Sequence, residues 1–350
     1  AVDMVTELFI KEVEPFDPKW HLSSTLFNIL CAICFGISYE LDDPKMQKAM
    51  KDLDDAATMI ENHFLLEEFI PPFRKCPIGT YKKYLKLVNE FIHGFVGKEF
   101  YRHVESYDPE NIRDFTDLLL QARKSAGESV LESLTDDHLI QTVNDIFLAG
   151  TGTVKATLRW VLLYLAAYPD MQEKIHKEVD GAVGRDRLPG LCDRPNLPYT
   201  EAFLYEAMRL STAAPIGVPH QAACDTKLGE YVVPKGTKVF INYWALHHDP
   251  KIWEDVDKFK PDRFLTNDGG LGPKPGNWLP FSAGPRACLG EFIAKPEMHL
   301  ILASLMQRFI VRLPKGAQVD FTPLDGANVS YPKDQKLVIK PRNYDINAAD

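Results

Sequence analysis

A cysteine at position 288 lies among closely spaced residues that could together bind a metal. The segment is FSAGPRACLG, in which Arg286 stands two positions before the cysteine and Gly290 two positions after it. A buried structural thiol is the ordinary role of a single cysteine. Here, however, the glycines and Pro285 predict a tight loop that opens into a helix, with Cys288 at or near the helix N-terminus. Backbone N–H groups and the helix dipole stabilise negative charge at that position, so Cys288 is a candidate thiolate.

A thiolate beside an arginine suits an iron porphyrin, because sulfur ligates the iron and the cation pairs with an acidic ring substituent. The segment resembles the haem-binding loop of the cytochromes P-450, F-x-x-G-x-R-x-C-x-G, at every specified position. The resemblance implies haem b (iron protoporphyrin IX) as cofactor and Cys288 as the iron ligand. Phe281, Arg286 and Gly290 are then further cofactor-binding residues. His220, in IGVPH, matches the family histidine that bonds a haem propionate.

A charge cluster is implied by two further segments. In YEAMRL, Glu206 and Arg209 share one helix face and match the family's E-x-x-R pair, and Arg263 in FKPDRF matches the third member. A solvated ion pair is the ordinary interpretation of such a spacing. With the cysteine loop present, the resemblance implies instead a buried structural cluster that fixes the segment presenting Cys288.

A third segment, AGTGT, begins at Ala149 inside a predicted helix. Each glycine inside a helix lowers helix stability by about 1 kcal/mol relative to alanine. Close packing against another helix would offset this loss, and so would a ligand bound in a groove beside the glycines. Both explanations stay open. The segment resembles the family's oxygen-activating stretch, A/G-G-x-D/E-T, and implies Ala149, Gly152 and Thr153 as catalytic positions. Gly152 stands where the family usually places an acid. Asp145 lies two turns earlier and could substitute through water, although a surface or packing role is as good an interpretation.

These sites need a mainly helical scaffold. Helical periodicity dominates as far as about residue 212, and short β-like runs between proline and glycine turns follow it. The patterns predict helices over residues 20–37, 45–64, 81–103, 114–125, 135–168, 170–182, 198–211 and 288–309, and strands in GEYVVP, TKVFIN and QKLVIKP. The helix over 135–168 is long and apolar enough to run through the core. Pro296 should kink or shorten the last helix.

A single domain over residues 1–350 is expected, because no repeat or long linker divides the chain. The similarity to the cytochromes P-450 extends from residue 1 to the C-terminus but starts well inside the family's chain. It implies a mainly α fold with small β-sheets (α+β), the cytochrome P-450 fold truncated at the N-terminus. The membrane anchor, first strands and early helices would then be missing.

Composition narrows the function classes. The net charge of −9 and pI of about 5.6 argue against nucleic-acid binding, which needs a basic surface.

Six scattered cysteines are too sparse for a disulfide scaffold. Cys31 and Cys34 have the spacing of a redox or zinc half-site, but their apolar surroundings favour core packing. No apolar run reaches the roughly 18 residues that span a bilayer. His247 and His248 suggest a metal, but neighbours on a strand point to opposite faces, so a turn or packing role is preferred.

The segments NDIFLAG and INYWALHHDPKIW resemble the steroid 17-alpha-hydroxylase/17,20-lyase group of microsomal animal enzymes. This implies a haem-thiolate monooxygenase that hydroxylates a steroid-like or other lipophilic small molecule. Electrons would come from NADPH through NADPH-cytochrome reductase, with cytochrome b5 as a second partner. The location would be the cytosolic face of the endoplasmic reticulum membrane. The implied substrate pocket contains Ala149, Gly150, Ile216, Val218 and Val329.

Two alternatives stay open. Because Gly152 replaces the usual acid, a haem-thiolate enzyme could rearrange a peroxide or similar preoxidised lipid instead of activating oxygen. Because the early part of the family's chain has no counterpart, the product could also be non-catalytic, bind haem poorly and sequester a reductase.

Overall fold

The structure, a computed structural model, describes residues 9–12, 14–69, 79–127, 134–324 and 328–342, with side chains outside 60–69 and 79–80. Two compact units emerge from the contacts between residues. The first unit contains the described residues from Pro18 to Lys155, and the second contains those from Phe9 to Asp17 and from Ala156 onwards. The single-domain expectation stays a prediction.

The first unit is helical throughout its regular structure. The elements are α1 (Lys19–Phe35), α2 (Pro44–Phe69), α3 (Gly79–Phe91), a π-helical turn (Ile92–Val96), α4 (Gly97–Ser106), α5 (Phe115–Ser125) and the larger part of α6 (Asp136–Ala167). The helix predicted over 81–103 is present, but it contains a π-helical turn that the sequence pattern did not indicate. The helix widens at the π turn, where an extra residue is accommodated.

A cluster of aromatic rings forms the core of the first unit. Phe27, Phe91, Phe95 and Phe147 contact one another with ring centroids 5.3–6.5 Å apart. Cys31 and Cys34 are buried in α1 within the same cluster. Burial, with Asp114 nearby, raises the pKa of the Cys34 thiol to about 12. The core-packing interpretation of this cysteine pair is confirmed.

The second unit combines helices with three small sheets. After the end of α6 come α7 (Pro169–Ala182), α8 (Pro198–Ser211), α9 (Tyr243–His247) and α10 (Glu291–Arg308). Three antiparallel pairs form, joining β1 (His220–Gln221) to β4 (Lys238–Val239), β2 (Thr226–Leu228) to β3 (Tyr231–Val233), and β5 (Phe309–Arg312) to β6 (Val338–Pro341). The predicted fold class, mainly α with small β-sheets, is confirmed.

Two details of α10 and α6 differ from expectation. Pro296 lies in the second turn of α10, and the helix continues beyond it to Arg308, although a proline has no N–H to donate to the carbonyl of Phe292. Helix α6 is long and apolar enough to cross a membrane by length and composition, although the sequence holds no unbroken apolar run of that length. Within its most apolar window 67% of the residues are buried inside the protein, as in the core helix of a globular protein.

Candidate functional site

The cysteine loop is closed by its own backbone. The N–H of Cys288 donates to the carbonyl of Phe281 (2.9 Å), and the N–H of Ala287 donates to that of Gly284 (3.0 Å). Gly284 adopts a φ of 77°, which a residue with a side chain rarely accepts. The glycine therefore lets the chain reverse direction and return the cysteine to the start of the loop.

Helix α10 begins three residues after the cysteine. Gly290 is the N-cap, and its carbonyl accepts the N–H of Ala294 (2.8 Å). Cys288 is thus near the helix N-terminus, as the sequence suggested, but outside its first turn. A Cβ added to Gly290 would lie 3.7 Å from the Cys288 sulfur, an ordinary contact.

The surroundings of the thiol fit a flat, largely apolar group that carries acidic substituents. Cys288 is exposed, and so is the Arg286 side chain. Leu289 and Phe292 are 97% and 88% exposed, although large apolar side chains are usually covered. One stretch therefore presents a sulfur ligand, two apolar side chains and a cation together, a combination that fits a haem bound through a cysteine.

A tyrosine that the motif did not single out supports the loop. The hydroxyls of Tyr243 and Ser282 are hydrogen-bonded at 2.7 Å, and Ser282 adopts a left-handed φ of 65°. The Tyr243 ring also lies against Gly217, where an added Cβ would come within 2.6 Å of the ring. The hydrogen bond holds the serine in a conformation that costs energy for a non-glycine residue.

A lysine also packs on the loop. Nζ of Lys295, on α10, lies 5.2 Å from the ring centroid of Phe281 and 5.3 Å from that of Trp278. The same ammonium group pairs with Glu291. Burial and this second ammonium lower the pKa of the neighbouring Lys274 to about 8. The two lysines contribute positive charge beneath the loop, and sequence spacing did not point to either.

The structure brings Glu206, Arg209 and Arg263 together. Arg209 donates from Nε and Nη2 to the two carboxylate oxygens of Glu206 (2.8 and 2.9 Å), and both side chains are fully buried. Arg263 donates from Nε to the same carboxylate at 3.1 Å, and the N–H of Lys260 donates to it at 2.9 Å. The three side chains therefore form a network and not a solvated pair.

A histidine links this network to the cysteine loop. Nη1 of Arg209 donates to the carbonyl of His247 (2.7 Å), and Nε2 of His247 accepts the N–H of Leu279 (3.0 Å). Because Nε2 accepts, Nδ1 carries the proton and donates to the Thr212 hydroxyl at 3.0 Å. Burial, His248 and Arg209 lower the pKa of His247 to about 4. The imidazole is neutral at pH 7, and both of its nitrogens are occupied.

The expectation for the His247–His248 pair was wrong in one respect. The residues lie on helix α9 and at its end, not on a strand, because Asn242 caps the segment by accepting the N–H of Ala245 (2.9 Å). The preferred packing role of His247 holds, and Trp278 adds a parallel link by donating from Nε1 to the carbonyl of Tyr205 on α8 (3.0 Å). Helix α8 is thus joined to the segment before the cysteine loop once directly, through Tyr205, and once through His247.

The AGTGT segment stays helical within α6. The Thr153 hydroxyl donates to the Ala149 carbonyl (2.8 Å), while Ala149 itself is exposed. A Cβ on Gly150 would meet only Leu30 at an ordinary 3.5 Å, so packing in the first unit does not demand glycine there. Asp145 is also exposed and accepts a hydrogen bond from Gln141 (2.7 Å).

The remaining predicted residues lie in the second unit. His220 is half-buried on β1 opposite Val239. Ile216 is half-buried and Val218 is 77% exposed. The N–H of Ser330, the residue after the half-buried Val329, donates to the carbonyl of Ala213 (2.9 Å). This bond brings the two predicted wall segments of the second unit side by side.

Comparison with known proteins gives a consistent result. The family model for cytochrome P450 matches residues 1–339. The chain is similar to cytochrome P450 1A1 of Limanda limanda (36% identical, 94% of this chain and 64% of the relative) and to cytochrome P450 2U1 of Mus musculus (37%, 87% and 57%). It is also similar to the steroid 17-alpha-hydroxylase/17,20 lyase of Gallus gallus (39%, 84% and 58%). The chain spans about three fifths of the length of these curated relatives.

Proposed function

The chain belongs to the cytochrome P450 family, and we propose that it functions as a haem-thiolate monooxygenase in which Cys288 would bind the haem iron. The observation that carries the proposal is the exposed thiol of Cys288 in a complete family loop, closed by the Cys288–Phe281 hydrogen bond and flanked by uncovered apolar side chains. Bound haem would supply an iron centre that activates dioxygen with electrons from a partner.

The protein's own residues would position this group. Cys288 would hold the iron through its thiolate, and Arg286 and His220 would offer cations or N–H donors to the acidic substituents. The Glu206–Arg209–Arg263 network would hold the loop indirectly, because Arg209 bonds to His247 and His247 bonds to the backbone just before the loop. The network is therefore a positioning device and does not touch the cofactor.

Thr153, on α6, would hold and transfer a proton. Ala149, Gly150 and Gly152 are its neighbours in the same segment of the helix. Its hydroxyl donates to the Ala149 carbonyl, so it must release that bond before it can pass its proton elsewhere. Gly152 supplies no acid, and Asp145 is the carboxylate one turn before Ala149 on α6. A water chain from Asp145 is the proposed proton route.

The substrate we propose is a flat lipophile of steroid size, bordered by Ala149, Gly150, Ile216, Val218 and Val329. The similarity to a steroid 17-alpha-hydroxylase/17,20 lyase supports this class. Family membership supports NADPH-cytochrome reductase as electron donor, cytochrome b5 as second donor, and residence on the cytosolic face of the endoplasmic reticulum.

The ligand assignment is tested by spectroscopy. The 350-residue chain is reconstituted with haemin, reduced under carbon monoxide, and compared with Cys288→Ala and with Cys224→Ala, which removes another exposed thiol. We expect the red-shifted thiolate Soret band in the parent and in Cys224→Ala only. An unchanged band in Cys288→Ala, or no haem uptake by the parent, would contradict the proposal.

The reaction type is tested by supplying two oxidants. Because Gly152 removes the usual acid, peroxide rearrangement is the second candidate. Product formation from a flat steroid with NADPH, reductase and O2 would support the monooxygenase. Turnover of a lipid hydroperoxide alone would favour the rearrangement.

A further inference from the structure

The first unit contains a cavity of about 490 Å³ that the proposed function does not use. Its walls come from the segment before α2, from α2, α3 and α4, and from the π turn between α3 and α4. We propose that this cavity, called here the α2–α4 cavity, binds an anionic amphiphile, a small molecule with a flat apolar body and one carboxylate or sulfonate.

The volume and the apolar floor of the α2–α4 cavity suit the apolar body of the proposed ligand. Small-molecule sites usually enclose about 300–1,000 Å³ and are lined mainly by apolar and aromatic side chains. Phe91, Phe95 and Ala49 contribute buried apolar surface, and the half-buried Tyr39 adds a second aromatic wall. The apolar body of a ligand can therefore pack beside residues that already belong to the core.

The π turn shapes this floor. It places Gly94 and Phe95 on the cavity wall, and a Cβ built on Gly94 meets nothing within 4 Å. Gly94 has no positive φ that would require glycine. A side chain at this lining position would meet no steric obstacle, and π turns are frequent at functional sites.

The charges around the α2–α4 cavity select an anion. Glu99 is neutralised by Arg102, whose Nη1 lies 2.7 and 3.0 Å from the two carboxylate oxygens. Lys48 bridges Asp52 (2.5 Å) and Glu90 (3.2 Å), joining α2 to α3 across one side. Lys86 also lies 3.7 Å from Glu90, so each of the three carboxylates that line the cavity has a cation to balance it.

Two of the cations that line the cavity have no carboxylate partner among the described residues. Lys45 and Lys98 are exposed, stand on α2 and α4, and make no ion pair within the described part of the chain. The cavity lining holds four cations and three carboxylates, a small positive excess in a protein whose net charge is −9. An ammonium beside an apolar floor attracts a carboxylate or sulfonate attached to a ring system.

Tyr39 is a neutral part of the cavity wall. Its hydroxyl donates to Glu99 (3.4 Å), and burial together with that carboxylate raises the pKa of the phenol, so Tyr39 keeps its proton at neutral pH. Because this O–H is already used, the charged group of the ligand is bound by Lys45 and Lys98. Cations on two helices beside an aromatic floor give the site an orientation.

The test uses 1-anilinonaphthalene-8-sulfonate as the probe, titrated into the purified full chain and followed by fluorescence. Gly94→Trp fills the cavity, and Gly181→Trp is the matched control, since a Cβ at this exposed helical glycine of the second unit also meets nothing within 4 Å. We expect Gly94→Trp to weaken binding about tenfold or more and Gly181→Trp to leave it unchanged. Equal dissociation constants for the two variants would overturn the proposal.

A charge variant keeps the test decisive if Gly94→Trp does not fold by circular dichroism. Lys98→Glu changes only an exposed side chain and should weaken sulfonate binding at least about threefold, whereas Lys336→Glu, in the second unit, should not. The uncharged analogue N-phenyl-1-naphthylamine should bind the parent and Lys98→Glu alike. If Lys98→Glu and Lys336→Glu bind the sulfonate equally, the cavity is not an anion site.

Discussion

Replacing Glu206 by glutamine tests whether the buried network holds the second unit together. The carboxylate accepts four hydrogen bonds, from Nε and Nη2 of Arg209, Nε of Arg263 and the N–H of Lys260. Glutamine keeps the volume but removes the charge and turns an NH₂ group toward guanidinium donors. Arg209 is then left fully buried without its carboxylate partner, which costs about 3–5 kcal/mol of unfolding free energy.

The measurement is urea unfolding followed by circular dichroism at pH 7, at low salt and in 0.5 M NaCl. Salt should leave the Glu206→Gln loss unchanged because water does not reach the pair. The control, Glu90→Gln, removes an exposed carboxylate that pairs with Lys48 and Lys86, and should have little effect. The double variant Glu206→Gln/Arg209→Met should recover part of the loss. A loss below about 1 kcal/mol for Glu206→Gln would refute the reasoning.

Two further predictions concern single groups. Burial raises the pKa of Glu297 from 4.5 to about 8, and one of its oxygens has no partner among the described residues, so the folded protein holds this carboxyl protonated. Because the folded state binds this proton more tightly than the unfolded state, the unfolding free energy measured in urea should fall as pH rises from 4.5 to 8, by up to about 1.4 kcal/mol per pH unit. Glu297→Gln should flatten this pH dependence. An unaltered slope in the variant would contradict the assignment. The buried Thr116 hydroxyl donates to the carbonyl of Cys34 (2.6 Å). Thr116→Val removes this donor and should lower the unfolding free energy by about 1–3 kcal/mol, whereas Thr116→Ser keeps the hydroxyl and should lower it less. Equal losses in the two variants would show that the hydrogen bond does not stabilise the fold.

The cysteine loop and the charge network could be predicted from sequence because their residue types are specific and closely spaced. Glu206 and Arg209 are one helical turn apart, and the loop around Cys288 fits in ten residues. The supporting bonds could not be predicted in this way. Tyr243 reaches Ser282 across 39 positions, and His247 reaches Leu279 across 32. Tyrosine, serine and leucine occur everywhere, so nothing local distinguishes these partners.

The same reasoning explains the errors in the helices. Apolar periodicity reports which face is buried, and it continues through the π turn at 92–96 almost unchanged, so the extra residue is invisible in the pattern. The segment over 243–248 was expected to be extended because TKVFIN before it is β-like. The Asn242 cap starts a helix there instead.

The position of the Tyr243 ring restricts the substitutions that the protein can accept. It occupies the space that a side chain on Gly217 would need, and its hydroxyl restrains Ser282 in the cysteine loop. A larger residue at position 217 would displace the ring and so release the serine, even though position 217 is far from the loop in sequence. The two positions are therefore expected to accept substitutions only as a pair, and a library that randomises one of them alone should return few functional clones.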